Sequence, residues 1–232
     1  MNISINGGTV TNVFGGGTHS SSTGSENSAT EVTGDVTVTV TGGTIDGAIF
    51  ARGQSATDTV SGHADVIFSG GDDFGCGVYG YTYVGGEDSS ATLSYTDYTG
   101  TFYGAIGGFN SVTFDGGTAM DLTTAAGDVS NGKWEFDLSE RADTLAGTSL
   151  LTWNNADFAG DTVKVAFADA AQAAAGWSIA AADFAGATFD LWIGGSEIAT
   201  DIAYDTAVGG TGDWANWKFT SVGGTLKFAE IA

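Results

Sequence analysis

The 232-residue chain contains no proline, one cysteine and only six lysines and arginines. Average proline usage of about 5% would predict roughly a dozen, so collagen-like and proline-rich linker architectures are excluded. A lone Cys76 supplies neither an internal disulfide nor a cysteine-based zinc cage, which leaves packing and backbone hydrogen bonds to hold the fold. Against so few cations stand 28 acidic residues, for a net charge of −22. That balance excludes the clustered positive charge that nucleic acid or anionic lipid requires. No run approaches the ~18 apolar residues of a membrane span, so no membrane insertion is expected within this chain. Residues 1–10 also lack the basic start and apolar run of a secretion signal, so an exported form is expected as a mature or excised chain.

What is present is glycine, at 38 residues, together with 42% hydrophobic residues and a mean hydropathy of +0.07, enough apolar material for a core. The glycines divide 26 before residue 131 and 12 after it, whereas all six tryptophans lie in the second half. Arg52 is the only cation among residues 1–130. A boundary is therefore expected near residues 128–132, separating a Gly-rich unit at 1–130 from a Trp-rich unit at 131–232.

One phrase recurs in the first unit: an alternating strand, a Gly-Gly step, then an apolar or aromatic strand ending on glycine. Its copies are residues 3–17 (ISINGGTVTNVFGGG), 36–53 (VTVTVTGGTIDGAIFARG) and 66–80 (VIFSGGDDFGCGVYG), with a degenerate fourth at 93–108. The step from Gly7 to Gly42 is 35 residues and from Gly42 to Gly70 is 28, which implies insertions on one face. Val36, Val38 and Val40 alternate with Thr37, Thr39 and Thr41, the period of a half-buried strand. Residues 20–31 (SSSTGSENSATE) carry no large apolar side chain and read as a protruding loop. Short strands with glycine corners and no helices between them fit a sandwich or a coil of stacked parallel strands. The repeat favours the coil, and missing proline agrees with strand interiors bonded on both sides.

In the second unit, alternation predicts strands at 133–138, 150–153, 162–168, 188–193, 217–220 and 225–231. Val222-Gly223-Gly224-Thr225 is a hairpin signal. Residues 169–175 (DAAQAAA) predict a short helix that starts near Asp169 and is capped by Gly176. The tryptophans are expected to form a compact core in a module that covers the open end of the coil.

The phrases GGTVTNVFGGG, VTVTGGTIDGAIF and SVTFDGGTAMDL resemble the passenger regions of large bacterial surface and autotransporter-type adhesins. GTSLLTWNNADFAGDTVKVAFADA, AGWSIAAADF and WKFTSVGGTLKFAEIA are similar to the module that ends such passengers. The resemblance implies an all-β fold, a right-handed parallel β-helix (solenoid) followed by a Trp-rich β cap domain, with no enzymatic residues carried over. Two features depart from that family: no outer-membrane barrel sequence follows Ala232, and the first unit holds only about four coils.

Candidate sites are few. Asp72-Asp73 and Glu87-Asp88 are paired carboxylates able to offer oxygen ligands to Ca²⁺, although neither EF-hand nor G-G-x-G-x-D spacing is present. A solvated acidic face is the competing reading. Tyr79, Tyr81 and Tyr83 fall on one face of an expected strand, where a row of rings stacks on sugars or simply on neighbouring strands. Residues 75–80 match G-x-G-x-x-G, but a strand rather than a helix is expected to follow, which argues for a glycine-lined corner over a dinucleotide site. His19 and His63 lack metal-ligand spacing, and Cys76 has no basic neighbour in sequence to activate it. Thr37-Val38-Thr39 resembles an ice-binding threonine ladder but is confined to one strand.

The expected function is a non-catalytic extracellular structural or adhesive module at a bacterial cell surface. It would meet a host or a neighbouring cell, with glycans among its contacts. The alternative is a subunit of an extracellular filament or surface layer, a homo-oligomer assembled by end-to-end β stacking from Asn2-Ile3-Ser4. A glycan-binding or glycan-degrading β-helix is the remaining alternative, and nothing in the sequence picks out a catalytic pair for it.

Overall fold

The computed structural model describes residues 1–16, 31–53, 59–80, 88–115, 120–121, 133–139, 148–158, 160–175, 177–223 and 225–231. The fold is all-β. The first strands are β1 (Asn2–Val10), β2 (Val13–Phe14), β3 (Glu31–Val32), β4 (Val36–Ile45), β5 (Ala48–Phe50) and β6 (Thr59–Val60). They are followed by β7 (Ala64–Gly70), β8 (Gly77–Tyr79), β9 (Asp88–Tyr98), β10 (Ile106–Gly107), β11 (Phe109–Asp115) and β12 (Met120–Asp121). Then come β13 (Lys133–Asp137), β14 (Thr148–Asp157), β15 (Thr162–Phe167), the short helix α1 (Ala170–Ala174) and β16 (Trp177–Asp183). The chain closes with β17 (Thr188–Ile193), β18 (Ser196–Ala203), β19 (Trp217–Val222) and β20 (Thr225–Glu230).

The largest sheet has nine strands in the order β1-β4-β7-β9-β11-β13-β15-β17-β18. All its neighbours are parallel until β18 joins β17 antiparallel. A four-stranded sheet, β10-β8-β5-β2, and a two-stranded sheet, β3-β6, are fed by the segments between those strands. A five-stranded sheet, β12-β14-β16-β20-β19, plays that part later in the chain. The boundary expected at 128–132 lies outside the described residues. On either side of it β11 and β13 pair in parallel, Val112 beside Trp134, so the large sheet runs through both compositional halves.

Alternation decides which face is buried. In β4, Val36, Val38 and Val40 are fully buried while Thr37 and Thr39 are half exposed, as period-two side-chain direction requires. In-register pairing then lines up like positions: Ile5, Val40, Phe68, Tyr95, Phe114, Phe136, Val165 and Leu191 form one column across eight strands. Its aromatic members stack face to face, with ring centroids 5.4 Å apart for Phe68–Tyr95, 5.3 Å for Tyr95–Phe114 and 5.0 Å for Phe114–Phe136. Each buried apolar side chain of this size stabilises the fold by about 1.5–3 kcal/mol, so the column is a principal source of stability.

The Gly-Gly steps turn the strands where expected. Gly8, Gly43 and Gly70 have φ of 77°, 103° and 86°. A Cβ on Gly43 would also stand 2.9 Å from the backbone of Gly7 and Gly8, so two strands meet there at glycine alone. The degenerate fourth copy has no glycine at its corner, and Asp97 adopts the left-handed conformation instead, at φ 49°.

In the second half the expected strands and hairpin are present, with Val222 paired to Thr225. Helix α1 is capped by Asp169, whose carboxylate accepts from the Gln172 N–H at 2.8 Å. Gly176 lies outside the described residues. Two strands were not expected. β16 (WSIAAAD) and β18 (SEIATDIA) are weakly alternating, and the neighbouring strands recruit them through backbone pairing. The expected tryptophan core is found only in part among the described side chains: Trp214 and Trp217 pack on each other, with centroids 5.0 Å apart, and on Phe228 against the core. Trp134 is buried, but Trp192, Trp214 and Trp217 are half exposed, and the side chains of Trp153 and Trp177 lie outside the described set. Phenylalanine fills the interior in their stead, Phe189 stacking on Phe219 with centroids 4.4 Å apart.

Candidate functional site

The two carboxylates singled out in the sequence, Asp72 and Asp73, follow the Gly70 corner at the end of β7. Asp72 Oδ2 accepts from the Gly43 N–H at 2.8 Å, and Asp73 Oδ1 accepts from the Thr101 N–H at 2.7 Å. One carboxylate thus reaches toward the preceding strand and the next toward the following one. The Asp72 carbonyl lies 2.8 Å from the Tyr98 hydroxyl, which is also 3.0 Å from the Thr101 carbonyl. Burial, with Asp73, Cys76 and Asp72 close by, pushes the Tyr98 hydroxyl pKa up, so it is held as a neutral donor.

The same arrangement recurs along the molecule. Asp35 accepts from the His63 N–H at 2.9 Å across 28 residues, and Asp65 accepts from the Thr92 hydroxyl at 2.6 Å across 27. Asp161 accepts from the Trp134 indole at 2.8 Å, again across 27 residues. Asn12 plays the neutral version, accepting from the Ala48 N–H at 2.9 Å. These side chains tie one strand level to the next. Charge-assisted hydrogen bonds of this kind are about twice as strong as neutral ones. The sequence reading weighed Asp72-Asp73 as a calcium site against a solvated face and did not single out Asp35, Asp65 or Asp161; the signal that could have found them is their spacing of 27–28 residues from their partners.

The other candidates do not converge on this corner. Glu87 lies outside the described residues, and Asp88 opens β9 beside Phe109. Among the described residues no group of three or more His, Cys, Asp or Glu side chains is arranged to hold a metal ion. Tyr79 is half-buried and stacks on Phe50, which stacks on Phe14, with centroids 5.5 and 5.2 Å apart. The aromatic row therefore runs across β2, β5 and β8. Tyr81 and Tyr83 lie outside the described residues, as does His19. Glycines 75 and 77 pack under the rings of Tyr103 and Tyr79, which fits a glycine-lined corner. Cys76 is buried, and burial pushes its thiol to about 12, so it is a packing residue at neutral pH.

On the outer face of the large sheet, Glu135 and Lys164 are adjacent, with Nζ 2.5 Å from Oε1, and the Lys164 ammonium sits 4.7 Å above the Trp192 ring. Both partners are about a third exposed, so this pair contributes less than about 1 kcal/mol. It does mark a mixed charged and aromatic patch on an otherwise acidic molecule.

Compared with known proteins, the chain matches no family model, no curated protein and no solved structure.

Proposed function

We propose that this chain is a non-catalytic extracellular structural or adhesive module of a bacterial surface protein. In this reading a right-handed parallel β-helix, expected over residues 1–130, continues through the parallel strands β13, β15 and β17, and the antiparallel strands β18, β19 and β20 form the β cap. The observation that carries the reading is the order of travel. The chain visits the large sheet, the four-stranded sheet and the two-stranded sheet in turn, β1-β2-β3 then β4-β5-β6, and each return pairs in parallel with the previous pass. Parallel returns in one sheet are right-handed in nearly all proteins. Carboxylates that bridge 27–28 residues support the same period.

Such a body carries load along a continuous hydrogen-bond ladder and presents its loops sideways to a host or a neighbouring cell, glycans included. The named polar residues serve the scaffold: Asp72 and Asp73 bind backbone N–H groups, Tyr79 stacks and Cys76 packs. The decisive experiment presents bead-bound protein to intact cells and a glycan array under flow, and incubates the free protein with the same glycans. Attachment without glycan cleavage is the expected result, and cleavage would overturn the non-catalytic reading.

A second reading, end-to-end self-assembly through β1, is favoured by one feature: among the described residues β1 has a strand on one side only, and it carries no charged side chain.

A further inference from the structure

The nine-stranded sheet ends on β1 and on β18, and the two edges are built differently. β18 carries Glu197 and Asp201, and its register against β17 slips twice. Asp201 adopts φ 52° and its N–H is taken by Asp190 Oδ1 at 3.0 Å. Charge and irregularity of this sort blunt an edge against further pairing. The other antiparallel edge near that end, β19, is covered in turn: the Asp205 and Val208 N–H groups bind the Phe219 and Trp217 carbonyls, each at 2.8 Å.

β1 lacks the charge. Its sequence, NISINGGTV, has no charged side chain in a chain of net charge −22, and although its register against β4 also slips twice, between Ile5 and Asn6 and between Asn6 and Thr9, it pairs without a slip from Asn2 to Ile5. The Met1 carbonyl accepts from the Thr37 N–H at 2.8 Å, and the Ile5 carbonyl lies 3.5 Å from the Thr41 hydroxyl. The odd-numbered residues therefore direct their backbone groups at β4. Because those directions alternate along a strand, Asn2 and Ser4 turn theirs to the free edge.

Residues 2–6 read Asn-Ile-Ser-Ile-Asn, the same in both directions. We propose that β1 pairs antiparallel with β1 of a second copy of this chain, about a two-fold axis through Ser4. This rests on the reading of β1 as a self-association edge, and it specifies a closed pair in place of an open filament. In that register Ser4 faces Ser4 as a mutually hydrogen-bonded pair, Ile3 stands opposite Ile5 of the second copy, and Asn2 stands opposite Asn6.

Three requirements are met together. Outward backbone groups meet outward groups. The half-buried Ile3 and buried Ile5 continue the core column of one copy into that of the other, whereas a one-residue slip would turn every isoleucine to the wrong face. A two-fold interface needs one self-complementary patch, and a palindromic uncharged strand is such a patch, setting no carboxylate against a carboxylate. Head-to-tail growth would instead lay β1 on the blunted edge of β18.

The test uses the full chain in a sedimentation and light-scattering concentration series. The expected mass saturates at twice 23.4 kDa. Ser4→Pro removes only an outward-facing donor and should raise the dimer dissociation constant at least tenfold with an unchanged melting temperature for the monomer. Ser4→Cys should cross-link the dimer on oxidation, since hydrogen-bonded antiparallel pairs hold Cα atoms about 5.5 Å apart. Asn2→Cys should not, its equivalents lying ~14 Å apart along the strand. A monomer at every concentration overturns both self-association and this proposal. A mass that grows without limit keeps end-to-end assembly and overturns the two-fold. A dimer that ignores Ser4→Pro and fails to cross-link through Ser4→Cys overturns the β1 register.

Discussion

The Asp72 carboxylate accepts a 2.8 Å hydrogen bond from the backbone N–H of Gly43, 29 residues earlier in the chain. A glycine is needed there because the Gly43 φ is 103°, and the acid is needed because the turn leaves an N–H without a strand partner. Asp72→Ala is expected to cost about 1–2 kcal/mol in urea unfolding, while Asp72→Asn, which keeps an acceptor oxygen, should lose under about 1 kcal/mol.

The same corner gives a cation test. Calcium and magnesium at matched ionic strength are expected to raise the melting temperature equally, by screening the net charge of −22. A calcium-specific rise that Asp72→Asn abolishes would assign an ion to the corner.

Tyr95 stands in the middle of the aromatic column, 1% exposed, with its hydroxyl buried and without a hydrogen-bond partner. Burial pushes its pKa well up. Tyr95→Phe removes an unsatisfied polar atom and keeps the stack, so stability should stay level or rise by about 1 kcal/mol. Phe136→Ala, in the same column, should lose about 3–5 kcal/mol. Paired thermal melts distinguish the two signs.

Alkaline pH should loosen the fold in a defined window. The Cys76 thiol rises from 9.0 to about 12 on folding, so between those values the unfolded chain releases its proton and the folded chain keeps it. The stabilisation is whole below pH 9 and is lost as pH climbs toward 12. Cys76→Ala should flatten part of that decline, leaving the contribution of Tyr95 and Tyr98, whose pKa values are also raised. Native protein should react with iodoacetamide far more slowly at pH 8 than protein in denaturant.

Close approach of backbones is testable at Gly104, where a Cβ would overlap the Cys76 carbonyl. Gly104→Ala should destabilise by about 3 kcal/mol. Gly212→Ala, with open space around it, should change stability by less than about 0.5 kcal/mol. Denaturant midpoints of the two variants provide the comparison.

Much of the architecture was legible in local pattern. Val36 to Thr41 alternate because a strand buries every second residue, and Asp169 opens a helix because its carboxylate satisfies a free N–H three residues on. The hairpin at Val222 and Thr225 was legible for the same reason, a turn whose glycine reaches φ 62°. β16 was not, since its alanines give no contrast between faces, and only its neighbours make it a strand. The tryptophan core was legible only in part, because burial depends on which face of the sheet a residue meets. Trp134 points inward, whereas Trp192 lies half exposed beneath the Lys164 ammonium.

The sequence alone determined the periodic features: strands of period two, corners at Gly-Gly steps, a phrase recurring after 35 and then 28 residues, and the absence of proline from strands bonded on both sides. These follow from rules acting within a few residues. The tertiary structure decided what distance along the chain conceals. It set the register that stacks Phe68, Tyr95, Phe114 and Phe136, and it turned scattered acids into ties between levels. Among the described residues it also left β1 with a strand on one side only and no charged side chain, while β18 carries Glu197 and Asp201. Each of those outcomes depends on residues about 20 to 35 positions apart being brought side by side, and pairing across such loops is fixed by the packing of the whole core.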